Sequence, residues 1–146
     1  MFIHDFVIVD RSFGDGLARL PFILQRELAS IVRMSWSEAQ QSPVAPTVVI
    51  GQARRRHDAV VYPVAWSDPR SNVMAAFEAD LELSIVDGWT TDLHLVGRCG
   101  LDEGLTSEQI RRQRREVVLA VRHLLEHMKQ RLEDPWALEV SSSPAR

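Results

Sequence analysis

A long amphipathic pattern runs from Thr106 to Glu133, where the sequence has no glycine or proline and apolar residues recur every three, four or seven positions. This spacing places them on one face of an α-helix. Thr106 followed by Gln109 predicts a capping box at its start. Asp134-Pro135 predicts its end, because a residue before proline disfavours the α conformation. At roughly 1.5 Å per residue the helix would be about 40 Å long, so its apolar stripe needs a broad surface to pack against.

In the middle of the chain the apolar period changes to two, which predicts strands. In the clearest of them, apolar residues alternate with acidic residues and a serine, as in a sheet that has one covered face and one wet face. Asp87-Gly88 predicts a hairpin turn, and Pro63 predicts an edge position or a bulge. Residues 54–58 are predicted to be a polar turn. The predicted strands are Ile3–Asp10, Thr47–Ala53, Ala59–Trp66, Phe77–Ile85 and Trp89–Cys99.

Two shorter helices are predicted after the first strand. Ser12 offers an N-cap for the first one, and Pro21 suits the first position of a second helix that continues to about Ala39. A linker from Gln40 to Pro46 follows. The element order predicts an α+β fold, in which an antiparallel sheet of about five to six strands packs on the long C-terminal helix. We expect residues 1–135 to form one domain and residues 136–146 a partly disordered tail.

Composition narrows the classes of function. The chain of 146 residues is 45% hydrophobic and has a net charge of −3, which gives no overall attraction to nucleic acid or to anionic membranes. A single cysteine, Cys99, excludes an internal disulfide framework and favours a reducing, cytoplasmic location. No basic region precedes the first apolar residues, and no apolar run is long enough for membrane insertion.

Three stretches carry a resemblance to a known superfamily. They are Val61-Tyr-Pro-Val-Ala-Trp66, Phe77-Glu-Ala-Asp-Leu-Glu-Leu83, and Leu93-His-Leu-Val-Gly97 leading toward the terminal helix. In these stretches and in element order, the chain resembles small bacterial members of the SRPBCC superfamily, which includes START domains and polyketide cyclases. The resemblance implies a helix-grip fold, in which the sheet holds the C-terminal helix and a ligand lies between them.

The predicted inner face supplies candidate residues for a ligand site. Ligand pockets are mostly apolar with a few polar groups, and Tyr62 is the candidate polar group, because a buried hydroxyl needs a partner. The same residues could instead fill the space as an ordinary core, and the sequence leaves both alternatives open. The candidate lining residues are Tyr62, Trp66, Phe77, Leu81, Trp89, Leu93, Val121 and Leu125.

No catalytic constellation, metal site or cofactor site is predicted. His123-Leu-Leu-Glu-His127 matches an inverted zinc-protease motif, but only 19 residues remain for the further acidic ligand, so surface histidines are favoured. Gly14 and Gly16 lack the third small residue of a dinucleotide loop, where Arg19 stands. The acidic and basic residues Asp80, Glu82, Asp92 and His94 fall on the outer face, and Cys99 is interpreted as a packing residue.

Arginine runs at 54–56 and at 111–115 are interpreted mainly as solvated surface, with a phosphate-binding or acidic-partner patch as the alternative.

Three functions remain. The first is a non-catalytic domain that binds a small apolar molecule. The second is a polyketide cyclase or dehydratase-like enzyme, implied by the resemblance alone. The third is a homodimeric protein-interaction module.

Overall fold

A computed structural model describes residues 1–36, 45–67, 76–100 and 104–135. The predicted tail at residues 136–146 and most of the predicted linker lie outside these ranges. Neither helix in the described part has a stretch long and apolar enough to cross a bilayer. The elements are β1 Phe2–Val9, α1 Phe13–Ser35, β2 Thr47–Ile50, β3 Arg54–Arg55, β4 Ala59–Ser67, β5 Phe77–Ile85, β6 Thr91–Cys99 and α2 Ser107–Glu133.

The strands form one antiparallel sheet in the order β1-β6-β5-β4-β2, and β3 pairs with β4 as the sixth strand. The predicted α+β class is confirmed. The predicted turn at residues 54–58 is corrected, because Arg54 and Arg55 pair with Val61 and Val60. A pairing of only two residues leaves no periodicity in the sequence from which it could be recognised.

Pro63 explains why the predicted strand from residue 47 to residue 53 divides into β2 and β3. Its carbonyl accepts a hydrogen bond from the amide of Gly51 at 2.7 Å. In an antiparallel ladder the N and C=O of one residue point to the same side. The nitrogen of Pro63 therefore faces the interval between β2 and β3, where no ladder bond is needed. This is the irregular position that proline requires in a strand.

The predicted pair of short helices is corrected to the single helix α1. Ser12 is its N-cap, as predicted, and accepts a hydrogen bond from the amide of Asp15. Pro21 lies inside the helix and does not begin a new one. An interior proline removes one hydrogen bond and costs about 3 kcal/mol. The buried stripe continues on both sides of it, through Leu20, Ile23, Leu24, Leu28, Ile31 and Val32, and that burial keeps the helix whole.

Helix α2 has the start and end that the sequence predicts. The Thr106 hydroxyl accepts from the Gln109 amide at 3.2 Å, and the Gln109 side chain accepts from the Thr106 amide at 2.9 Å. Gly104, with φ of 82°, supplies the left-handed turn before this cap. The helix ends at Asp134, its C-cap.

Both helices lie on the inner face of the sheet. Helix α2 packs on β1 and β6, whereas α1 packs on β2 and β5, and the two helices contact each other. The sheet is therefore covered by a helix pair rather than by the C-terminal helix alone. The core unites the inner side of the strands with the buried stripes of both helices.

A buried arginine joins the start of α1 to the end of α2. Arg19 is only 5% exposed, and its Nη1 donates to the carbonyls of Leu132 at 2.6 Å and Asp134 at 2.9 Å. The last carbonyls of a helix have no partner within it. The guanidinium supplies such partners and places its positive charge at the negative end of the helix dipole.

Glu133 connects the same end of α2 to β1. Its Oε2 accepts from the Asp10 amide at 2.7 Å and from Lys129 Nζ at 2.6 Å. Burial by itself would raise the pKa of Glu133. The hydrogen bonds from Asp10 and Lys129 and the charges of Lys129 and Arg11 outweigh burial and lower that pKa.

We predict that Arg19→Met lowers the free energy of unfolding by about 2–3 kcal/mol, because it leaves buried helix-terminal carbonyls without a charged donor. Denaturant unfolding followed by circular dichroism would measure the loss. The matched control is Arg26→Met, in which the lost group is a surface guanidinium 5.7 Å from the Phe22 ring. Its expected loss is below about 1 kcal/mol. Equal losses in the two variants would contradict the role given to Arg19.

We predict that Glu133→Gln lowers the free energy of unfolding by about 1 kcal/mol at neutral pH. A carboxyl whose pKa is lowered by folding contributes stability above its unfolded pKa and loses it as the pH falls through the folded pKa. The difference from the parent protein should therefore shrink as the pH falls below about 4. Thermal unfolding across pH would test this. The exposed Glu126→Gln should show no such trend, and a pH-independent loss in Glu133→Gln would exclude the charge as its cause.

Candidate functional site

The structure brings most of the predicted site residues onto one face. Register places Trp66 opposite Phe77 and Tyr62 opposite Leu81. Leu93 lies opposite Leu83 on the next strand. The core that these residues share with α2 comprises Trp66, Phe77, Leu81, Leu93, Val121 and Leu125, with Tyr62 packed against it as a partly buried neighbour.

Trp89 is the exception, and its predicted place on the inner face is wrong. It is 81% exposed, and β6 begins two residues later. The carboxylate of Asp87 accepts from the amides of Trp89 and Thr90, both at 2.8 Å. These bonds lower the pKa of Asp87 and fold residues 87–90 into the turn between β5 and β6. The hairpin predicted from Asp87-Gly88 is present, but its turn carries Trp89 out of the sheet.

The centre of the inner face is filled by side chains. Leu81, Leu93, Val121 and Leu125 are each at most 1% exposed. At Gly97 two neighbouring strands pack as closely as a glycine permits, because a Cβ there would lie 2.7 Å from Cζ of Phe77 on β5. Such packing has the density of an ordinary protein interior. Among the described residues, the centre of this face has the character of a solid core.

One end of the inner face is aromatic. The rings of Trp66 and Phe77 stack, with centroids 4.7 Å apart and an interplanar angle of 9°. Trp36, the residue that caps α1, stands edge-on to both at 5.5 and 5.7 Å. All three residues are 2% exposed. Trp36 was not among the predicted residues, although its position four residues after Val32 continues the apolar stripe of α1.

The indole nitrogen of Trp66 is a buried donor without an acceptor. Nε1 of Trp66 is shielded from solvent and has no hydrogen-bond partner among the residues that the structure describes. A buried indole N–H normally finds one, and leaving a donor unpaired costs about 1–3 kcal/mol. Ser35, at the same end of α1, uses its hydroxyl to donate to the Ile31 carbonyl at 2.6 Å. Farther along β4, burial raises the pKa of the Tyr62 hydroxyl.

The outer face carries the polar residues that the alternation predicts. Asp80, Glu82, Asp92 and His94 alternate with the core residues of β5 and β6. The Asp92 carboxylate lies 3.1 Å from Nδ1 of His94, whose ring stacks on His4 at 5.1 Å. An open cavity of about 460 Å³ lies on this face, away from the predicted site, with Val49, Pro63, Ala65, Val96 and Arg98 among its walls.

The motifs noted in the sequence do not bring metal-ligating side chains together in the described residues. His123 is exposed and His127 is partly exposed on α2. No group of three or more metal-ligating side chains comes together in the ranges that the structure covers. Gly14 and Gly16 belong to the first turns of α1, and a Cβ on Gly16 would lie 2.6 Å from Leu83. Gly16 therefore serves close packing of helix on sheet.

The predicted arginine runs lie at the surface. Arg54 is 3.7 Å from Asp80, and Arg55 lies over the ring of Phe13 at 5.2 Å. The arginines at positions 111, 112, 114 and 115 are exposed on α2. Cys99, by contrast, is 2% exposed, in keeping with a packing role.

No family model matches the chain, and the curated proteins include no match. Solved structures match at low identity. TTHA0849 from Thermus thermophilus is 13% identical with a TM-score of 0.47, over 98% of this chain and 100% of that one. A START superfamily protein from Mycobacterium smegmatis is 9% identical with a TM-score of 0.43, over 90% and 98%. The Zhui aromatase/cyclase from Streptomyces sp. R1128 is 12% identical with a TM-score of 0.40, over 90% and 95%. The fold of this chain is established by its own strand order and helices.

Proposed function

We propose that this chain is a non-catalytic domain that binds a small, largely apolar molecule at the aromatic end of the inner face. The observation that carries the proposal is the unpaired indole N–H of Trp66. A ligand that places a hydrogen-bond acceptor beside this nitrogen would satisfy a donor that the described chain leaves unpaired. The ligand would bind at this end because side chains fill the centre of the face.

The surroundings of Trp66 favour an uncharged ligand. The stacked rings of Trp66 and Phe77 and the edge of Trp36 give flat apolar walls. The buried charged residue of the core, Arg19, is held by the end of α2. A charged ligand would therefore lose its hydration at the aromatic end without gaining a counter-charge from the described core. A carbonyl, ether or hydroxyl oxygen on an apolar skeleton fits this environment.

Three polar groups on the inner side of the sheet already have partners, so they do not favour an enzyme. Asp5 pairs with Arg122 at 2.7 Å, and the Thr91 hydroxyl donates to the Arg11 carbonyl at 3.3 Å. Cys99 is buried, and its thiol lies 3.4 Å from the Gly100 carbonyl. Within the described ranges these groups do not assemble a nucleophile with a base and an orienting residue.

We predict that native mass spectrometry of the purified protein will show an added mass of a few hundred daltons that disappears on denaturation. Trp66→Phe keeps an aromatic ring but removes the N–H, so it should raise the Kd by about tenfold, the change expected for one hydrogen bond, and thereby lower the bound fraction. The matched control is Trp89→Phe, which changes an exposed tryptophan and should leave the bound fraction unchanged.

Two outcomes would contradict the proposal. A native mass equal to the chain mass in every preparation would mean that no molecule is retained. Equal occupancy in Trp66→Phe and the parent protein would mean that the indole nitrogen is not the contact. Thermal unfolding of each ligand-free variant would show whether a loss of binding merely reflects a loss of fold.

A further inference from the structure

Strand β1 forms one edge of the sheet. The alternation of its hydrogen bonds determines which of its residues direct their backbone amides and carbonyls toward the free edge. Met1 and Cys99 exchange hydrogen bonds of 3.0 and 3.1 Å. Because bonded pairs alternate in an antiparallel ladder, the odd-numbered residues of β1 bond to β6. The even-numbered residues, Phe2, His4, Phe6 and Ile8, present their amides and carbonyls to the free edge.

Charged side chains close the second half of this edge. Arg122 Nη1 donates to the Phe6 carbonyl at 3.3 Å, and Lys129 Nζ donates to the Ile8 carbonyl at 2.7 Å. The Phe6 amide donates to Asp5 Oδ1 at 2.8 Å. Natural sheets block their edges with charged groups in this way to prevent pairing with other strands.

The first half of the edge remains open. In the ranges that the structure covers, no side chain bonds the backbone of Phe2 or His4. Beside them lies an open cavity of about 530 Å³, with walls that include Ile3, Val118 and Leu119. Phe2 is 72% exposed, Val118 52% and Leu119 58%. An edge with free backbone groups next to a cavity with partly apolar walls is the arrangement that receives an added strand in β-augmentation.

The charges around this open edge are mainly positive. Arg114 and Arg115 lie one helical turn before Val118 and Leu119, and Arg111 lies one turn earlier, all exposed. On the other side, the guanidinium of Arg98 lies over the Phe2 ring at 4.7 Å. Asp5, the acid at the cavity, is already paired with Arg122. The surface therefore complements an acidic partner.

A second copy of the chain fits this surface less well. Two copies that pair through the same edge would be related by a twofold axis, so the same surface patch of each copy would face the other. The arginines of one α2 would then approach those of the other, and like charges repel.

We propose that the open edge at Phe2–His4, with Val118 and Leu119, binds an extended segment of another protein by strand addition. The backbone of that segment pairs with Phe2 and His4. One apolar side chain enters the cavity, and acidic side chains two residues away, on the same face of the added strand, meet the arginines of α2. This site lies on the edge of the sheet and is independent of the aromatic end proposed for a small molecule.

The test is to pan a phage-displayed library of random short peptides against the intact protein. The expected binders carry acidic residues two positions from an apolar residue, and a synthetic copy of one should slow amide exchange at His4. Leu119→Ser and Arg115→Glu should each weaken that peptide by about tenfold. The matched control, Val86→Ser, removes an apolar side chain that is 52% exposed in the β5–β6 turn and should bind as the parent does.

Three results would overturn the proposal. They are a failure to select peptides, selected peptides without acidic residues, or equal binding by Leu119→Ser and Val86→Ser. Analytical ultracentrifugation of the protein without peptide tests whether a second copy occupies the edge instead. A dimer that Leu119→Ser dissociates would assign the edge to a second copy. Circular dichroism and thermal unfolding of each variant separate a local change from misfolding.

Discussion

The structure depends on the burial of a single sheet face beneath two helices rather than one. Either helix alone would leave half of the inner face exposed, because α2 covers β1 and β6 while α1 covers β2 and β5. The hydrophobic effect therefore couples the two helices through the sheet. Contacts at the C-terminal turn of α2 then fix how the helices meet. Arg19 of α1 donates to the Leu132 carbonyl there, and Glu133, the last residue of α2, accepts from the Asp10 amide just before α1. Much of the rest follows from this arrangement, including the filled centre of the core.

The position of α1 also bears on where a ligand could bind. A continuous helix of 23 residues carries its buried stripe across half of the sheet, from Phe13 to Ser35. Its side chains occupy space between sheet and helix in which a cavity would otherwise lie. At the end of that stripe, Trp36 meets Trp66 and Phe77, and large flat rings replace interlocking aliphatic side chains. Nε1 of Trp66, which has no partner among the described residues, lies in this group.

The sequence predicted those parts of the fold that depend on local periodicity. The limits of α2, its capping box and the two faces of β5 were correct, because each is specified within a few turns or strand repeats. The prediction from sequence failed where residues elsewhere in the chain determine the local structure. Burial on the sheet carries α1 through Pro21, and β3 exists because β4 lies beside it. The error at Trp89 was a local one, because the Asp87 carboxylate accepts from the turn amides and carries Trp89 out of the sheet. The inner-face position of Trp66 was predicted, but its unpaired nitrogen was not, because a missing partner is visible only in three dimensions.

The contacts of Lys129 have a practical consequence for chemical labelling. Lys129 is the only lysine in the chain, and its amine bonds the Ile8 carbonyl and the Glu133 carboxylate. Reagents that acylate amines at high pH would thus have one side-chain target, at the seam between β1 and α2. Acylation removes the positive charge and these ionic contacts. The rate at which this amine reacts would therefore report how often the seam opens in the folded protein, with no need for an introduced probe.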